Sequence, residues 1–471
     1  MAAKGLRLKA KSTDFTQGGI IKPVLLFALP TLLGNIFSAL YNVVDTVVVG
    51  QFVGANALAA VGCCFAVSMV CVAVFAGFGM GSGILTAQMF GAKQSDKLTA
   101  TVNTGYIGGF IVGTSMIIIG EIIAVPLLKL MNTPDAIMEM ATQYLRIFLL
   151  GCTGQLFYFM GSNMLRGLGD SKWPTYAVVL CSALNIILDL VFVLWLHWDC
   201  AGVALATVIA QTVSGIAVLI RVYTGGYGVK FERKTFKIDP SILKMILAIG
   251  VPGALNMMVT SIGTVIIQSF ANGFGETLVA TNSIAQKIDQ FALMPIMAMG
   301  SALTMFVGQN MGAGLEKRCN EGMKKITVVI LAVGVVLTGA CFVLAGPLCR
   351  IFVSEEEVIA MGIEAVRLAA LFYVFHALQM SLTHMLQGAG ATKPVMYLSF
   401  IGIAARVVMC YLFAVRTGAW QGLFWATNGY FALMAILAAL YVWKGNWKQY
   451  VQVRKGPGRP GRPGGPAPSA E

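Results

Sequence analysis

Three acidic side chains, Asp45, Asp189 and Asp289, stand inside apolar stretches long enough to form membrane helices. A carboxylate in the middle of a bilayer costs roughly 2.5–3.5 kcal/mol on insertion scales, so each needs a partner, a water-filled cavity or a proton. Asn185 precedes Asp189 by one helical turn, which places both on one helix face. Its amide can donate a hydrogen bond to the carboxylate and offer a carbonyl oxygen to a cation. This pattern favours an ion or proton site.

Three further polar residues belong to the same half of the chain. Thr207, in a neighbouring apolar stretch, can add a hydroxyl to the Asp189 site. Tyr144 and Asn163 can line a cavity in the same half. The alternative for the acids is structural, either water contact near a helix end or pairing with a helix dipole or a basic residue.

The second half has a different set of polar candidates. Asp289 has two basic candidate partners, Lys287 and Arg406. Lys287 is two residues away and does not face Asp289 on a regular helix. A structural ion pair and a position lining a substrate cavity both stay open for these three residues. His376 and His384 have no carboxylate at ligand spacing, so metal binding there is not favoured.

These residues must be positioned by membrane helices. The 471 residues are 57% hydrophobic and 11% charged, whereas about 25% of residues are charged in a soluble domain. Repeated apolar runs of about 20 residues predict an all-α integral membrane protein. Twelve transmembrane helices in two six-helix bundles are expected, near 26–50, 57–89, 102–126, 141–165, 174–196, 201–222, 242–271, 277–310, 326–346, 362–386, 394–415 and 421–443.

The net charge of +13 reflects topology rather than nucleic-acid binding. Lys and Arg concentrate in the termini and in alternate loops, which are cytoplasmic in most membrane proteins. We therefore expect a multi-pass protein of the cytoplasmic (inner) membrane with both termini inside and no nucleic-acid partner. The side of the molecule that carries these loops is called the basic side below; its charges include Lys22, Lys93, Lys97, Arg166, Lys172, Lys230, Lys317, Arg318 and Lys393.

The two halves repeat one another at an offset of 221 residues, as from Gln88 to Gln309 and from Gly91 to Gly312. Six spans per copy give parallel topology, an axis along the membrane normal and a substrate path between the copies. The predicted units are an N-terminal arm (1–22), an N-lobe (23–222), a cytoplasmic linker (223–241), a C-lobe (242–443) and a disordered cytoplasmic tail (444–471).

The copies differ at the acidic positions. Asp45 matches Ile266, Asn185 matches Arg406, and Asp189 matches Cys410. Acids with a purely architectural role would be expected in both copies. The asymmetry therefore favours an ion or proton site confined to the N-lobe.

The twelve spans in two repeats, Pro30 with Asp45 in the first span, the repeated Gln-x-x-Gly-Ala motif and Asn185-x-x-x-Asp189 resemble the MATE (multidrug and toxic compound extrusion) transporters. The resemblance covers roughly residues 15–450 and is closest to the prokaryotic DinF-like branch. The NorM-like branch is instead associated with acids in the C-lobe, where Asp289 lies but the full NorM-like set has no convincing match. Residues that correspond to the DinF-like ion or proton site are Asp45, Asn185, Asp189 and Thr207, with Tyr144 and Asn163 nearby.

The resemblance implies a secondary antiporter, not an enzyme. It would export small cationic or amphipathic compounds across the lipid bilayer by alternating access, as a monomer. The coupling ion would be H⁺ or Na⁺, with Na⁺ held at Asp45, Asn185 and Asp189, and no other cofactor. The expected substrate cavity includes Tyr144, Asn163, Lys287, Asp289 and Arg406.

Other functions stay open from the residues alone. A lipid-linked oligosaccharide flippase of the same superfamily would need a larger and more basic groove, which Lys287 and Arg406 hint at. A membrane-embedded enzyme is disfavoured because the spans hold no recognisable nucleophile–base set or metalloprotease motif. A channel is disfavoured by two asymmetric repeats around buried acids.

Overall fold

The apolar runs form α-helices in a computed structural model that describes residues 12–231 and 236–453, without the side chains of 45–49, 51 and 55. Within those residues there are fourteen α-helices and no strand. They are α1 (Ile21–Val48), α2 (Ala55–Gly91), α3 (Ser95–Leu130), α4 (Asp135–Leu150), α5 (Cys152–Gly167), α6 (Lys172–Leu190), α7 (Asp199–Thr224), α8 (Pro240–Asn272), α9 (Glu276–Gly312), α10 (Glu316–Arg350), α11 (Glu356–Ala370), α12 (Tyr373–Gly388), α13 (Thr392–Cys410) and α14 (Gln421–Lys444).

The helices account for two bundles of six spans, which confirms the predicted all-α architecture. In the described part of the chain, ten helices are each long and apolar enough to cross a membrane, and α11 with α12 makes an eleventh span bent by 46°. The corresponding pair in the first half is α4 and α5, of 16 residues each, which meet at Gly151. The sequence predicted single helices for these two spans, at 141–165 and 362–386, and the structure divides both.

The repeat is visible helix by helix. α2 ends at Gly91 and α9 at Gly312, and α5 and α12 end at the matching positions Gly167 and Gly388. Even irregular features recur, since α6 and α13 both continue into a five-residue π-helical turn, at Val191–Trp195 and Tyr411–Val415. Such turns are uncommon and often mark functional regions.

The two lobes approach each other closely on the basic side, where α2 and α9 cross. A Cβ atom added to Gly91 would lie 1.9 Å from the carbonyl oxygen of Gln309, and one added to Gly312 would lie 2.0 Å from that of Gln88. Only glycine permits backbones to approach this closely. The repeated glycine of the Gln-x-x-Gly-Ala motif is therefore a helix-contact residue in both copies.

The glutamines of the same motif join the lobes through their side chains. Gln88 of α2 donates to the carbonyl of Gly388 in the C-lobe at 3.3 Å. Gln309 of α9 donates to the carbonyl of Gly167 in the N-lobe at 3.0 Å. Both glutamines are fully buried, so each satisfies a carbonyl at the end of a helix of the other lobe. We call this symmetric arrangement the glutamine clamp.

Segments outside the bundles pack against the clamp. Gln309 Oε1 accepts from the backbone N–H of Phe15, and Gln88 Oε1 accepts from that of Gln452. We name residues 12–20 the N-terminal strap and residues 446–453 the C-terminal strap. The sequence analysis predicted a disordered tail from residue 444 onward. That prediction is wrong for residues 444–453, because the 3₁₀ turn Asn446–Tyr450 buries Trp447 against the C-lobe. The rest of that tail lies outside the described residues.

The predicted linker between the lobes, 223–241, is anchored to the N-lobe in its described part. The Tyr227 hydroxyl donates to the Asp170 carboxylate at 2.5 Å, and Arg221 lies 3.7 Å from the same carboxylate. Burial, followed by this hydrogen bond, raises the pKa of the Tyr227 phenol, so it stays protonated as a donor. Further along, the N–H of Asp239 donates to Thr104 of α3 at 3.0 Å.

Candidate functional site

The N-lobe holds a buried polar cluster at the point predicted from the sequence. Asn185 and Asp189 lie one turn apart on α6, with exposures of 1% and 0%. In the amide orientation that satisfies both neighbours, Asn185 Nδ2 donates to Asp189 Oδ2 at 2.9 Å. Its Oδ1 accepts from the Thr207 hydroxyl of α7 at 3.2 Å. The structure therefore brings three of the four predicted ion-site residues together.

The fourth residue, Asp45, lies in the last turns of α1, one turn after Tyr41. Its side chain is outside the described part of the structure, so its approach to Asp189 stays a prediction. The described backbone shows that α1 packs on α6, since the Thr175 hydroxyl of α6 donates to the carbonyl of Pro30 at 2.6 Å. The helix that carries Asp45 is thus attached to the helix that carries Asp189.

A central cavity of about 620 Å³ adjoins the N-lobe cluster. Thr207 belongs to its wall, which connects the cavity with the Asn185–Asp189 pair. Tyr144 also lines the cavity, as predicted, and Gln290 reaches it from the C-lobe helix α9. Much of the rest is aromatic or small and polar: Phe65, Phe148, Tyr158, Phe159, Ser38, Ser68 and Ser182. Such walls suit large ligands with apolar rings and few polar groups.

The C-lobe has its own polar cavity of about 250 Å³. Asp289 and Arg406 both line it, but they do not form the ion pair considered from the sequence. Asp289 accepts a hydrogen bond from the Tyr373 hydroxyl, and Arg406 Nη2 donates to Thr427 Oγ1 at 2.9 Å. No ion pair of either residue occurs within the described residues.

Asn163 and Lys287 are not among the side chains that line the two cavities. Asn163 donates to the carbonyl of Phe159 at 2.8 Å and packs against Gly83 of α2, so it is a helix-contact residue. Lys287 is exposed, with its Nζ 5.7 Å from the ring centre of Phe352. Sequence position alone did not reveal that neither residue lines these cavities.

Several important residues were missed by the sequence analysis. Tyr373, the partner of Asp289, follows a bend between two helices, and no local spacing indicated it. Gln88 and Gln309 belong to the repeated motif, but the sequence analysis assigned no role to their side chains. The signal was present, because a polar side chain at one position in both copies needs a partner in each when buried.

Comparisons with known proteins agree with this architecture. The MatE family model matches residues 30–191 and 252–412, one segment in each lobe. The probable multidrug resistance protein YpnP of Bacillus subtilis (strain 168) is 30% identical over 451 residues, covering 93% of this chain and 98% of that protein. The multidrug export protein MepA of Staphylococcus aureus (strain NCTC 8325 / PS 47) is 21% identical over 433 residues, covering 91% and 95%.

Solved structures give the same result. A crystal structure of MATE in the straight conformation superposes with a TM-score of 0.87 at 25% identity, covering 94% of this chain and 99% of that one. An outward-facing multidrug resistance MATE transporter of the MOP superfamily gives the same TM-score, identity and coverage. The assignment to the DinF-like branch stays a prediction. With both repeats matched and the fold shared over nearly the whole chain, this protein belongs to the MatE family of multi-pass membrane transporters.

Proposed function

We propose that the protein is a secondary active antiporter that exports cationic amphipathic compounds in exchange for H⁺ or Na⁺. The observation that carries the proposal is the buried Asn185–Asp189–Thr207 cluster at the wall of the central cavity. A carboxylate that is fully buried in a membrane domain is costly to keep ionised without a cation or proton. Its position beside the cavity lets ion binding and substrate binding influence each other.

Closure on the basic side supports an outward-facing state. The lobes are joined there by the glycine crossing of α2 with α9 and by the glutamine clamp. The central cavity is lined by the opposite halves of α1 and α2, from Ser38 to Asn42 and from Val61 to Val72. We take the basic side as cytoplasmic, with both termini there, because Lys and Arg concentrate in its loops.

In the proposed cycle, Asp189 and Asp45 take up a proton or Na⁺ while the cavity faces outward. Neutralising the acids removes the charge that attracts a cationic substrate, so the substrate leaves. It also changes the hydrogen bonding of Asp189 to Asn185, and α1, packed on α6 through Pro30 and Thr175, can then repack. Opening of the basic side releases the ion to the cytoplasm. The working unit in this proposal is a monomer.

The test is dye transport in proteoliposomes with Na⁺ and pH gradients imposed separately. The wild type is expected to accumulate an ethidium-like dye against its gradient with one of the two gradients. Asp189→Asn and Asp45→Asn are each expected to lose gradient-driven accumulation, because a neutral amide cannot exchange the ion. The matched control is Asp199→Asn, the same change at an exposed position at the start of α7.

Two results would contradict the proposal. Accumulation at the wild-type rate by either variant would remove that acid from coupling. Dye equilibration without accumulation in the wild type, under both gradients, would indicate a passive pore instead of an antiporter.

A further inference from the structure

The two lobes build the same polar pair at equivalent positions, but with different charge. In the N-lobe the amide of Asn185 on α6 hydrogen-bonds the hydroxyl of Thr207 on α7 at 3.2 Å. In the C-lobe the guanidinium of Arg406 on α13 donates to the hydroxyl of Thr427 on α14 at 2.9 Å. The helices are counterparts in the repeat, so the pairs occupy corresponding places.

The residue one helical turn after Asn185 in the N-lobe, and after Arg406 in the C-lobe, also differs in charge between the lobes. In the N-lobe it is Asp189, the acid of the proposed ion site. In the C-lobe the matching residue is Cys410, which is buried and carries no carboxylate. The arginine has therefore replaced the amide, and the acid that could have paired with it is absent at that position. The matching pairs of positions in the two lobes therefore carry side chains of opposite charge, Asp189 in one and Arg406 in the other.

The described residues do not accept hydrogen bonds from all the N–H groups of Arg406. Its Nε is buried and has no hydrogen-bond partner among them, and the guanidinium forms no ion pair with any of them. Besides the bond to Thr427, it lies 5.6 Å from the ring centre of Tyr430. The residue as a whole is half-buried, and a buried N–H without an acceptor is costly, so an anion that completes these hydrogen bonds would stabilise the guanidinium. A carboxylate accepts two parallel N–H bonds from this group and matches its fork geometry.

The surrounding cavity can hold such a group. Its volume is about 250 Å³ and its walls include the stacked rings of His376 and Phe431, whose centres are 3.9 Å apart. The nearby acid, Asp289, is engaged by the Tyr373 hydroxyl and makes no ion pair with Arg406. An anionic group on an aromatic compound would thus find a guanidinium on one side and flat rings on another.

We propose that the C-lobe cavity is an anion subsite, in which Arg406 binds the carboxylate of amphipathic substrates that also carry a positive charge. The inference rests on the proposed export function and extends its substrate class from cations to zwitterions. The C-lobe cavity takes the carboxylate-bearing end of the compound.

A matched pair of dyes tests the subsite. Rhodamine 110 is a zwitterion with a free carboxylate, and rhodamine 123 is its methyl ester and a simple cation. Binding of each to purified protein in detergent is measured by fluorescence anisotropy, which needs no ion gradient. The wild type is expected to bind rhodamine 110 more tightly than the ester, because only the acid can accept the guanidinium fork.

Arg406→Gln is expected to raise the Kd of rhodamine 110 by at least about tenfold and to change that of rhodamine 123 much less, in line with the strength of hydrogen bonds to charged groups. Arg406→Lys keeps the charge but loses the fork, so its Kd for rhodamine 110 should fall between those of the wild type and Arg406→Gln. Arg416→Gln makes the same change at an exposed position and should match the wild type with both dyes.

Equal losses for both dyes in Arg406→Gln and Arg406→Lys, or no preference of the wild type for the acid, would overturn the anion subsite. The proposal would also be overturned if competition by vesicles of anionic phospholipid depended on Arg406 while binding of rhodamine 110 did not depend on Arg406. That result would assign the guanidinium to a lipid phosphate. Failure of the export proposal is distinguishable, because it appears as absent dye accumulation under both gradients whatever the dye preference in detergent.

Discussion

The hydrogen bond from Tyr373 to Asp289 shows how a single residue holds an acid in the C-lobe. Tyr373 is itself buried, and no basic residue pairs with the carboxylate within the described residues. Removing one partner of such a bond leaves the other without its donor in a poorly solvated place. The cost of that loss is larger than the net value of the bond itself.

We predict that Tyr373→Phe lowers the free energy of unfolding by about 1–3 kcal/mol, because the Asp289 carboxylate then lacks its donor. Thermal unfolding of the purified protein in detergent measures the effect as a lower melting temperature. Tyr397→Phe deletes the same hydroxyl from a side chain that is 60% exposed and should leave the melting temperature unchanged. Equal melting temperatures for the two variants would show that the carboxylate has another adequate donor.

Residues close in sequence were the predictable part of the site. Asn185 and Asp189 share one helix face through local geometry, and the structure confirms their contact. Asp289 and Tyr373 are 84 positions apart, and their contact depends on how α9 packs against the bent pair α11 and α12. No spacing rule carries that information. The sequence offered only bases as partners for the acid, so the tyrosine was missed.

At the scale of elements, the crossing of α2 with α9 depends on two glycines. We predict that Gly312→Ala lowers the melting temperature, because its Cβ would lie 2.0 Å from the Gln88 carbonyl oxygen and force the helices apart. Overpacking of this kind typically costs about 1–3 kcal/mol. Differential scanning fluorimetry of the purified variant is the measurement.

Gly339→Ala is the matched control. Gly339 lies within α10, and a Cβ there meets no atom within 4 Å, so alanine should keep or raise the melting temperature through its better helix propensity. If Gly312→Ala were as stable as Gly339→Ala, the close crossing would not be a constraint on the fold.

Hydropathy predicted where the membrane helices lie, but it did not predict whether each span is one continuous helix. The predicted spans 141–165 and 362–386 each became two helices, although neither junction contains a proline. The break at Gly151 falls where Val208 of α7 lies 2.4 Å from the position of an added Cβ. A close tertiary contact of this sort is invisible to a hydropathy window, which explains why the division at Gly151 was missed.

At the scale of the whole molecule, the N-terminal and C-terminal straps are related by the same pseudo-symmetry as the lobes. The N-terminal strap bonds the glutamine of the C-lobe, and the C-terminal strap bonds the glutamine of the N-lobe. Arg318 adds to the first of these contacts by donating to the carbonyls of Phe15, Gln17 and Gly18 at 2.9–3.0 Å. The basic side is thus closed by the clamp and by both straps, and a state open on that side requires these bonds to break.

We predict that Phe15→Ala loosens this closure. The Phe15 ring packs edge-to-face on Phe27 and Phe306, with centres 5.4 and 5.9 Å away, and loss of a buried Phe costs about 3–5 kcal/mol. Native Cys319 belongs to the same buried cluster and serves as a reporter. Its modification by a maleimide, quantified by mass spectrometry, should be faster in the variant than in the wild type.

Cys349, at the other end of α10 and in a different buried cluster, provides the internal control and should react equally slowly in both proteins. Phe110→Ala truncates a phenylalanine that is 56% exposed and should leave Cys319 protected. Protection of Cys319 in Phe15→Ala would mean that the glutamine clamp and the helix crossing close the basic side without the strap. Faster reaction of both cysteines would indicate global loosening, whereas a change confined to Cys319 assigns the strap to closure because the two reporters share one helix.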